Sequence, residues 1–288
     1  MADRDFHYHD DFTVTDEMKS AWKEDGYILV RSILSPKEMS ILRPALESDD
    51  GVRQHAYGLP DGEGLHSNMC IWNHPGNDIT GMIFRSQKMV DTAEQLLGGE
   101  VYHYHTKLMM KEAHTGGRFV WHQDYGYWYN NGCLYPDMMS VFVAIDRCDR
   151  GNGCLQVLKG SHKLGRIDHG AVSGQTGANL ERVNHAVNIL SLVHVEMEPG
   201  DALFFHCNVL HKSEQNKSDR RRWAFVAAYN KATNNPVKEH HCPRYTPLYK
   251  VPNEAILTCG NKTDMAGKDF LDPTKDDTVR NPKRLKTK

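Results

Sequence analysis

The chain has 288 residues and carries 35 Lys and Arg against 37 Asp and Glu, a formal net charge of −2. That balance supplies no cationic field for nucleic acid or an anionic membrane, and no apolar run reaches the roughly 20 residues of a membrane helix. The polar stretch Met1–Asp11 resembles neither a signal nor a transit peptide, and 7 cysteines without a Cys-x-x-Cys pair suit free thiols, so a cytoplasmic location is expected.

Residues 1–14 are charged and without period, and are expected to form a flexible arm. A helix follows over 15–25, with Asp16 and Glu17 in its first turn and Gly26 at its end. Tyr27–Val30 is a short strand. Ser35-Pro36-Lys37-Glu38 has the form of a capping box and opens a helix toward Leu46, weakened by Pro44. Asp49 to Met82 is rich in Gly, Pro, Asn and Asp and reads as long surface loops. Gln87–Leu97 places Met89, Val90, Ala93, Leu96 and Leu97 on one helical face, closed by Gly98.

Strands then dominate, with candidates at 101–110, 118–123, 138–145, 153–158, 191–197, 201–206 and 222–230. Helices first and strands afterwards define an α+β chain with a β-sandwich or jelly roll as its body. The segment 164–188 is long for a loop and is expected to act as a lid. Residues 15–260 form a single domain on this reading, and 261–288 a charged tail ending in Lys283, Arg284, Lys286 and Lys288.

The unusual count is 17 His, which directs attention to metal ligation. Trp121-His122-Gln123-Asp124-Tyr125 contains a His-x-Asp pair, and on a strand residues two apart face the same side. With one distant His, here His211, such a pair forms the 2-His-1-carboxylate facial triad that holds Fe(II) and leaves positions open. Arg222 opens the strand that follows, where it can grip the far carboxylate of 2-oxoglutarate in a two-pronged, charge-assisted contact, aided by the Ser213 hydroxyl. Three features compete with this assignment. His9-Asp10-Asp11 lies in the expected arm. His103 and His105 would share a face of the strand 101–110 with Lys107 beside them, as in cupin-like metal enzymes, but are expected instead to form a polar inner face of the barrel that lines the co-substrate or substrate pocket. His240-His241, beside Cys242, shows no partner spacing and reads as surface.

Trp121-His122-Gln123-Asp124, the run Gly151-Asn152-Gly153-Cys154-Leu155 with Gly160-Ser161-His162, and Pro199-Gly200-Asp201 through His211 to Arg222 together resemble the phytanoyl-CoA dioxygenase family. The resemblance spans about residues 20–230 and is nearest to the proline trans-4-hydroxylase-like and ectoine hydroxylase-like members. It implies a double-stranded β-helix (a jelly roll) with N-terminal flanking helices, and the use of Fe(II), 2-oxoglutarate and O2. By that likeness His122, Asp124 and His211 are iron ligands, Arg222 and Ser213 bind 2-oxoglutarate, and Trp128 lies beside the substrate. The implied reaction hydroxylates an unactivated C–H and releases succinate and CO2. Relatives that halogenate lack the carboxylate ligand, so Asp124 favours hydroxylation.

Tyr125, Tyr127, Trp128 and Tyr129 follow the motif closely, and Tyr127 with Trp128 are the candidate substrate contacts. Arg118, His114, Arg166 and Arg182 are candidates for meeting a substrate carboxylate. The Lys and Arg residues are too dispersed to form a patch for coenzyme A phosphates. A small polar metabolite, such as free proline, is therefore preferred over the alternatives of an acyl-CoA or a cupin-like enzyme built on His103 and His105. A catalytically silent binding protein is disfavoured by the intact triad. Oligomeric state is not encoded in any pattern recognised in the sequence.

Overall fold

The computed structural model describes residues 5–48 and 50–275. Its first strand, β1 (Asp5–His7), falls in the segment expected to be an arm; it pairs in parallel with β2 (Tyr27–Arg31). The pairing is locked by Arg31, which bonds Asp5 at 2.6 Å and Asp201 at 2.8 Å. Between them α1 (Asp16–Asp25) begins where Thr15 accepts the Met18 N–H, and stops at Gly26 in a left-handed conformation. The capping box forms as expected at α2 (Pro36–Ser48): Ser35 N–H donates to Glu38 Oε2 at 2.7 Å, and Glu38 N–H to Ser35 Oγ at 3.2 Å. Glu38 also pairs with the buried Lys88 ammonium at 2.6 Å.

Residues 49–82 depart from the expected surface loops. They hold α3 (Asp50–Gln54), β3 (Tyr57–Pro60), the largely buried β4 (His66–Asn73) and the start of α4 (Ile79–Arg85). Asp78 caps α4 and Trp72 is wholly buried. The helix α5 (Gln87–Leu97) forms as its periodicity requires and ends at Gly98. There follow β5 (Val101–Lys111), β6 (Phe119–His122), the short helix α6 (Asp124–Trp128), β7 (Met138–Ala144) and β8 (Leu155–Leu158). The expected lid is a hairpin, β9 (His169–Val172) with β10 (Gln175–Ala178), and a helix, α7 (Leu180–Ile189). The remaining elements are β11 (Leu192–Val195), β12 (Ala202–His206), β13 (His211–Ser213), β14 (Arg222–Lys231), α8 (Ala255–Thr258) and β15 (Asp269–Phe270).

Two sheets pack face to face as a double-stranded β-helix. The larger runs β1-β2-β12-β7-β14-β5-β4-β15, with β3 paired to β4, and the smaller runs β11-β8-β13-β6. Strand alternation separates the two faces of the larger sheet. Phe204, Val141, Phe225 and Ala227 face the helices, while Leu203, Phe205, Phe142, Ala224 and Val226 meet Leu155, Val157 and Val195 of the smaller sheet. On β14 this same parity turns Arg222 inward and leaves Arg221 outside, bonded to Asp146 at 3.0 Å.

A one-residue bulge on β5 sets the parity of the other long strand. Ala228 pairs with His105 but Tyr229 pairs with His103, so Tyr104 is the extra residue. His103 and His105 therefore point to opposite faces, and the shared face expected of them is lost. His103 bonds Thr106 at 2.7 Å, whereas His105 and Lys107 line the interior cavity.

The segment expected to begin a charged tail packs against the body. Lys268 and Asp78 form an ion pair with both side chains fully buried, and Asp78 also accepts the Asp264 N–H at 2.9 Å. Phe270 pairs with Trp72 across β15 and β4. The basic cluster at Lys283–Lys288 lies outside the described residues. No helix among the described residues is long and apolar enough to cross a membrane.

Removing one partner of a buried pair strands the other's charge. Lys268→Ala should therefore lower unfolding free energy by about 3–5 kcal/mol, read as a shifted denaturant midpoint. Lys268→Met combined with Asp78→Asn should recover part of that loss.

Candidate active site

His122 closes β6 and His211 opens β13, and the antiparallel register sets them directly opposite each other. Their ring centroids lie 4.0 Å apart. Each Nδ1 faces a backbone carbonyl, Val120 O at 2.8 Å for His122 and Val209 O at 2.9 Å for His211. A carbonyl only accepts, so Nδ1 carries the proton and Nε2 keeps its lone pair. Asp124 is the first residue of α6 rather than part of a strand, so its convergence with His122 comes from the strand-to-helix turn. Its Oδ1 lies 4.0 Å from His211 Nε2, and its Oδ2 accepts the Ser140 hydroxyl at 2.6 Å. The ligand-type atoms of His122, Asp124 and His211 all lie within 4.8 Å of one another, a group able to hold one metal ion.

The electrostatics suit that arrangement. Burial, opposed in part by the Asp124 carboxylate, holds the His122 and His211 imidazoles below their usual range and so neutral. Burial pushes the Asp124 carboxyl up, but Lys107, His211 and His122 outweigh it and hold the group well below the usual carboxylate range. Lys107 Nζ sits 3.9 Å from Asp124 Oδ1.

Gln123, between the two motif ligands, is wholly buried and fixes the turn. Its side-chain amide donates to Gly165 O and Asn208 O, each at 2.8 Å, and its carbonyl accepts the Ile167 N–H at 2.7 Å. Its backbone N–H donates to His169 Nε2 at 2.9 Å. Gly126 permits this: a Cβ there would overlap the His169 ring. The lid hairpin and the approach to His211 are thus tied to the turn that carries His122 and Asp124.

A cavity beside the triad is lined by Asp124, His211, Ser213, Arg222, Phe142 and Val226, among others. Arg222 is 1% exposed; its Nη2 donates to Gly153 O at 2.9 Å, while its Nε has no hydrogen-bond partner. Gly153 adopts φ +74, and a Cβ on it would strike the Glu214 carbonyl, so glycine is required where the guanidinium docks. Ser213 accepts from Lys111 Nζ at 2.9 Å. Burial, reinforced by the Arg222 charge, pushes the Lys111 ammonium well below its ordinary range. Neither Lys107 nor Lys111 was among the cations expected to meet an anion; both follow from the inward parity of β5, which runs unbroken from His105 to Lys111.

The other wall of the triad opens on a cavity lined by Tyr57, Phe119, Tyr127, Trp128, Asn131 and Thr176, with Lys107 at its inner end. Tyr127 donates to Thr176 O at 2.6 Å, and Trp128 packs edge-on against His105. Of the aromatic run, Tyr125 turns away to Cys133 O and Tyr129 stacks with Arg166. The expected carboxylate-binding cations are engaged elsewhere: Arg118 with Glu63, Arg166 with Asp168 and His114 with Asp219, while Arg182 is exposed. The cupin-like alternative is not supported, because His103 joins no metal-holding group among the described residues; nor do His9, Asp10 and Asp11. His240, His241 and Cys242, expected to be surface, do form a second such group, with Cys242 buried.

The enzyme belongs to the Fe(II)- and 2-oxoglutarate-dependent dioxygenases. L-proline trans-4-hydroxylase of Streptomyces griseoviridis is 29% identical over 240 residues, 76% of this chain and 88% of the relative. Ectoine dioxygenase of Bordetella parapertussis is 26% identical over 248 residues, 80% of each chain. EctD of S. alaskensis, solved with 2-oxoglutarate and 5-hydroxyectoine and also with bound Fe, superposes at a TM-score of 0.71 and 21% identity, covering 86% of this chain and 92% of that one. The sequence pattern of phytanoyl-CoA dioxygenase matches residues 22–224, and the chain belongs to that family.

Three imidazoles outside the triad, His103 and His169 buried and His206 half-buried, make stability depend on pH. Burial lowers His103 to about 3, and His169 and His206 to about 4, from an ordinary 6.5. Below pH 6.5 the unfolded chain takes up protons that the folded one refuses, so stability falls as pH falls through 6.5 toward 4. At pH 5 each imidazole should weaken the fold by about 2 kcal/mol. Urea midpoints at pH 7.5 and pH 5 check this, and equal midpoints would contradict it.

Proposed function

We propose that the enzyme hydroxylates a C–H bond of a small metabolite bearing a carboxylate, with a free imino or amino acid such as proline the leading candidate. In this reading His122, Asp124 and His211 hold Fe(II), and Arg222 with Ser213 holds the far carboxylate of 2-oxoglutarate. The observation that carries it is the convergence on one cavity of a two-imidazole, one-carboxylate group and a buried guanidinium with an unpartnered N–H. The donor set fits the metal: two neutral Nε2 lone pairs and one carboxylate oxygen form one face and leave the other side open. The unpartnered Nε of Arg222, with Lys111 beside Ser213, fits an anionic co-substrate that would complete their bonding.

Iron with 2-oxoglutarate and O2 supplies the oxidising power, with succinate and CO2 released. The protein's own part is placement. Carbonyls of Val120 and Val209 fix the imidazole tautomers, and Ser140 fixes the carboxylate so that one oxygen faces the site. Arg222 and Ser213 orient one end of the co-substrate. On the other side Lys107 is the cation available to a substrate carboxylate, while Tyr127 and Trp128 bound the body of a small ring. The lid hairpin places Thr176 on the same wall and restricts water. One ammonium on this wall, that of Lys107, suits one carboxylate and not the several phosphates of coenzyme A. A compact ring with a carboxylate also matches the substrate named for the S. griseoviridis relative.

Anaerobic addition of Fe(II) and then 2-oxoglutarate should produce the visible absorption of a chelated 2-oxo acid. Asp124→Ala should abolish it, and Arg222→Leu should raise the 2-oxoglutarate concentration needed by roughly tenfold or more. Iron binding without the absorption in the unaltered protein would refute the assignment of Arg222. With succinate release as the assay for candidate substrates, Lys107→Met should raise KM for a carboxylate substrate by roughly tenfold or more. An unchanged KM would remove Lys107 from substrate recognition.

A further inference from the structure

A second set of ligand-type side chains converges at the outer wall of the substrate cavity. The ligand atoms of His240, His241 and Cys242 lie within 4.8 Å of one another. They follow β14 in a loop that Asn73 on β4 grips through the His241 carbonyl. Cys242 is 4% exposed, and its Sγ lies 4.0 Å from Nδ1 of His105 on β5. His105 is itself 4% exposed, and its Nε2 has no hydrogen-bond partner. His105, His241 and Cys242 all line the cavity that Tyr127 and Trp128 bound.

One sulfur and two imidazole nitrogens from one loop, with the His105 ring beside the sulfur, form a donor set suited to a borderline-soft ion. This differs in kind from the oxygen-containing triad, which contains no thiol. We propose that Cys242, His240 and His241 form a Zn(II)-type site in the wall of the substrate cavity, beside His105. Binding there releases the Cys242 thiol proton to solvent and fixes the loop after β14 against the cavity wall. The ion would stand on the cavity wall, so its occupancy sets the width of the substrate entrance without displacing the ion of the triad. The inference rests on residues outside the triad and does not depend on the assignment of substrate.

The test is titration of the metal-free full chain with Co(II), a spectroscopic stand-in for Zn(II). A thiolate bound to cobalt gives a near-ultraviolet charge-transfer absorption that the triad cannot produce. The absorption is expected in the unaltered protein, should persist in His122→Ala, and should be lost in Cys242→Ser and on adding Zn(II). Because Cys242 is buried, His240→Ala in the half-buried part of the loop serves as the second variant and should also lose the tetrahedral visible bands. No charge-transfer absorption in the unaltered chain, or its survival in Cys242→Ser, overturns the proposal. A spectrum unchanged in His240→Ala does so as well.

Discussion

Charge inside the sandwich is the constraint on which the rest depends. A closed apolar interior tolerates ions only where they are paired, and here the inward-facing cations of Lys107, Lys111 and Arg222 accompany the single carboxylate of Asp124. Lys111 already responds, its ammonium destabilised by burial and by Arg222. The interior is therefore poised for anions. An enzyme that must take up a dicarboxylate before its substrate gains from cations already fixed in place, because little rearrangement remains to oppose binding.

Positions in that interior follow from strand parity, and parity explains where sequence reading succeeds. The alternation of β14 puts Arg222 inside and Arg221 outside, which distinguishes one member of an Arg-Arg-Arg run from a plain surface charge cluster. The triad is legible because His-x-Asp and a distant His carry specific chemistry, although Asp124 reaches the site from a helix start and not from a strand. The failures have physical causes. The extra residue at Tyr104 reverses the facing of His103, and no local residue signals a bulge there. The Gly- and Asn-rich region before Met82 hides β4, whose burial is decided by its neighbour β5 and by the strap that includes Phe270. Gln123 occupies the variable position of its motif, so nothing in the pattern reveals that its amide joins three segments.

The lid is likewise more than a long loop. Its hairpin supplies Thr176 to the cavity and His169 to the backbone of Gln123, so movement of the lid is mechanically linked to the turn between His122 and Asp124. The hairpin and the turn that carries His122 and Asp124 share a hydrogen bond, so displacement of one strains the other.

The strap held by Lys268 and Asp78 bears on the order of events during synthesis. Leu271 lines the cavity bounded by Tyr127 and Trp128, while every strand of the two sheets except β15 is complete by Lys231. The sheets can assemble on a nascent chain some 40 residues before that wall exists. The cavity acquires its last side only when the strap has left the ribosome and buried its ammonium against Asp78. Closure of the pocket is thereby a late event of synthesis, and a chain interrupted before the strap would lack both that wall and the ion pair that holds it.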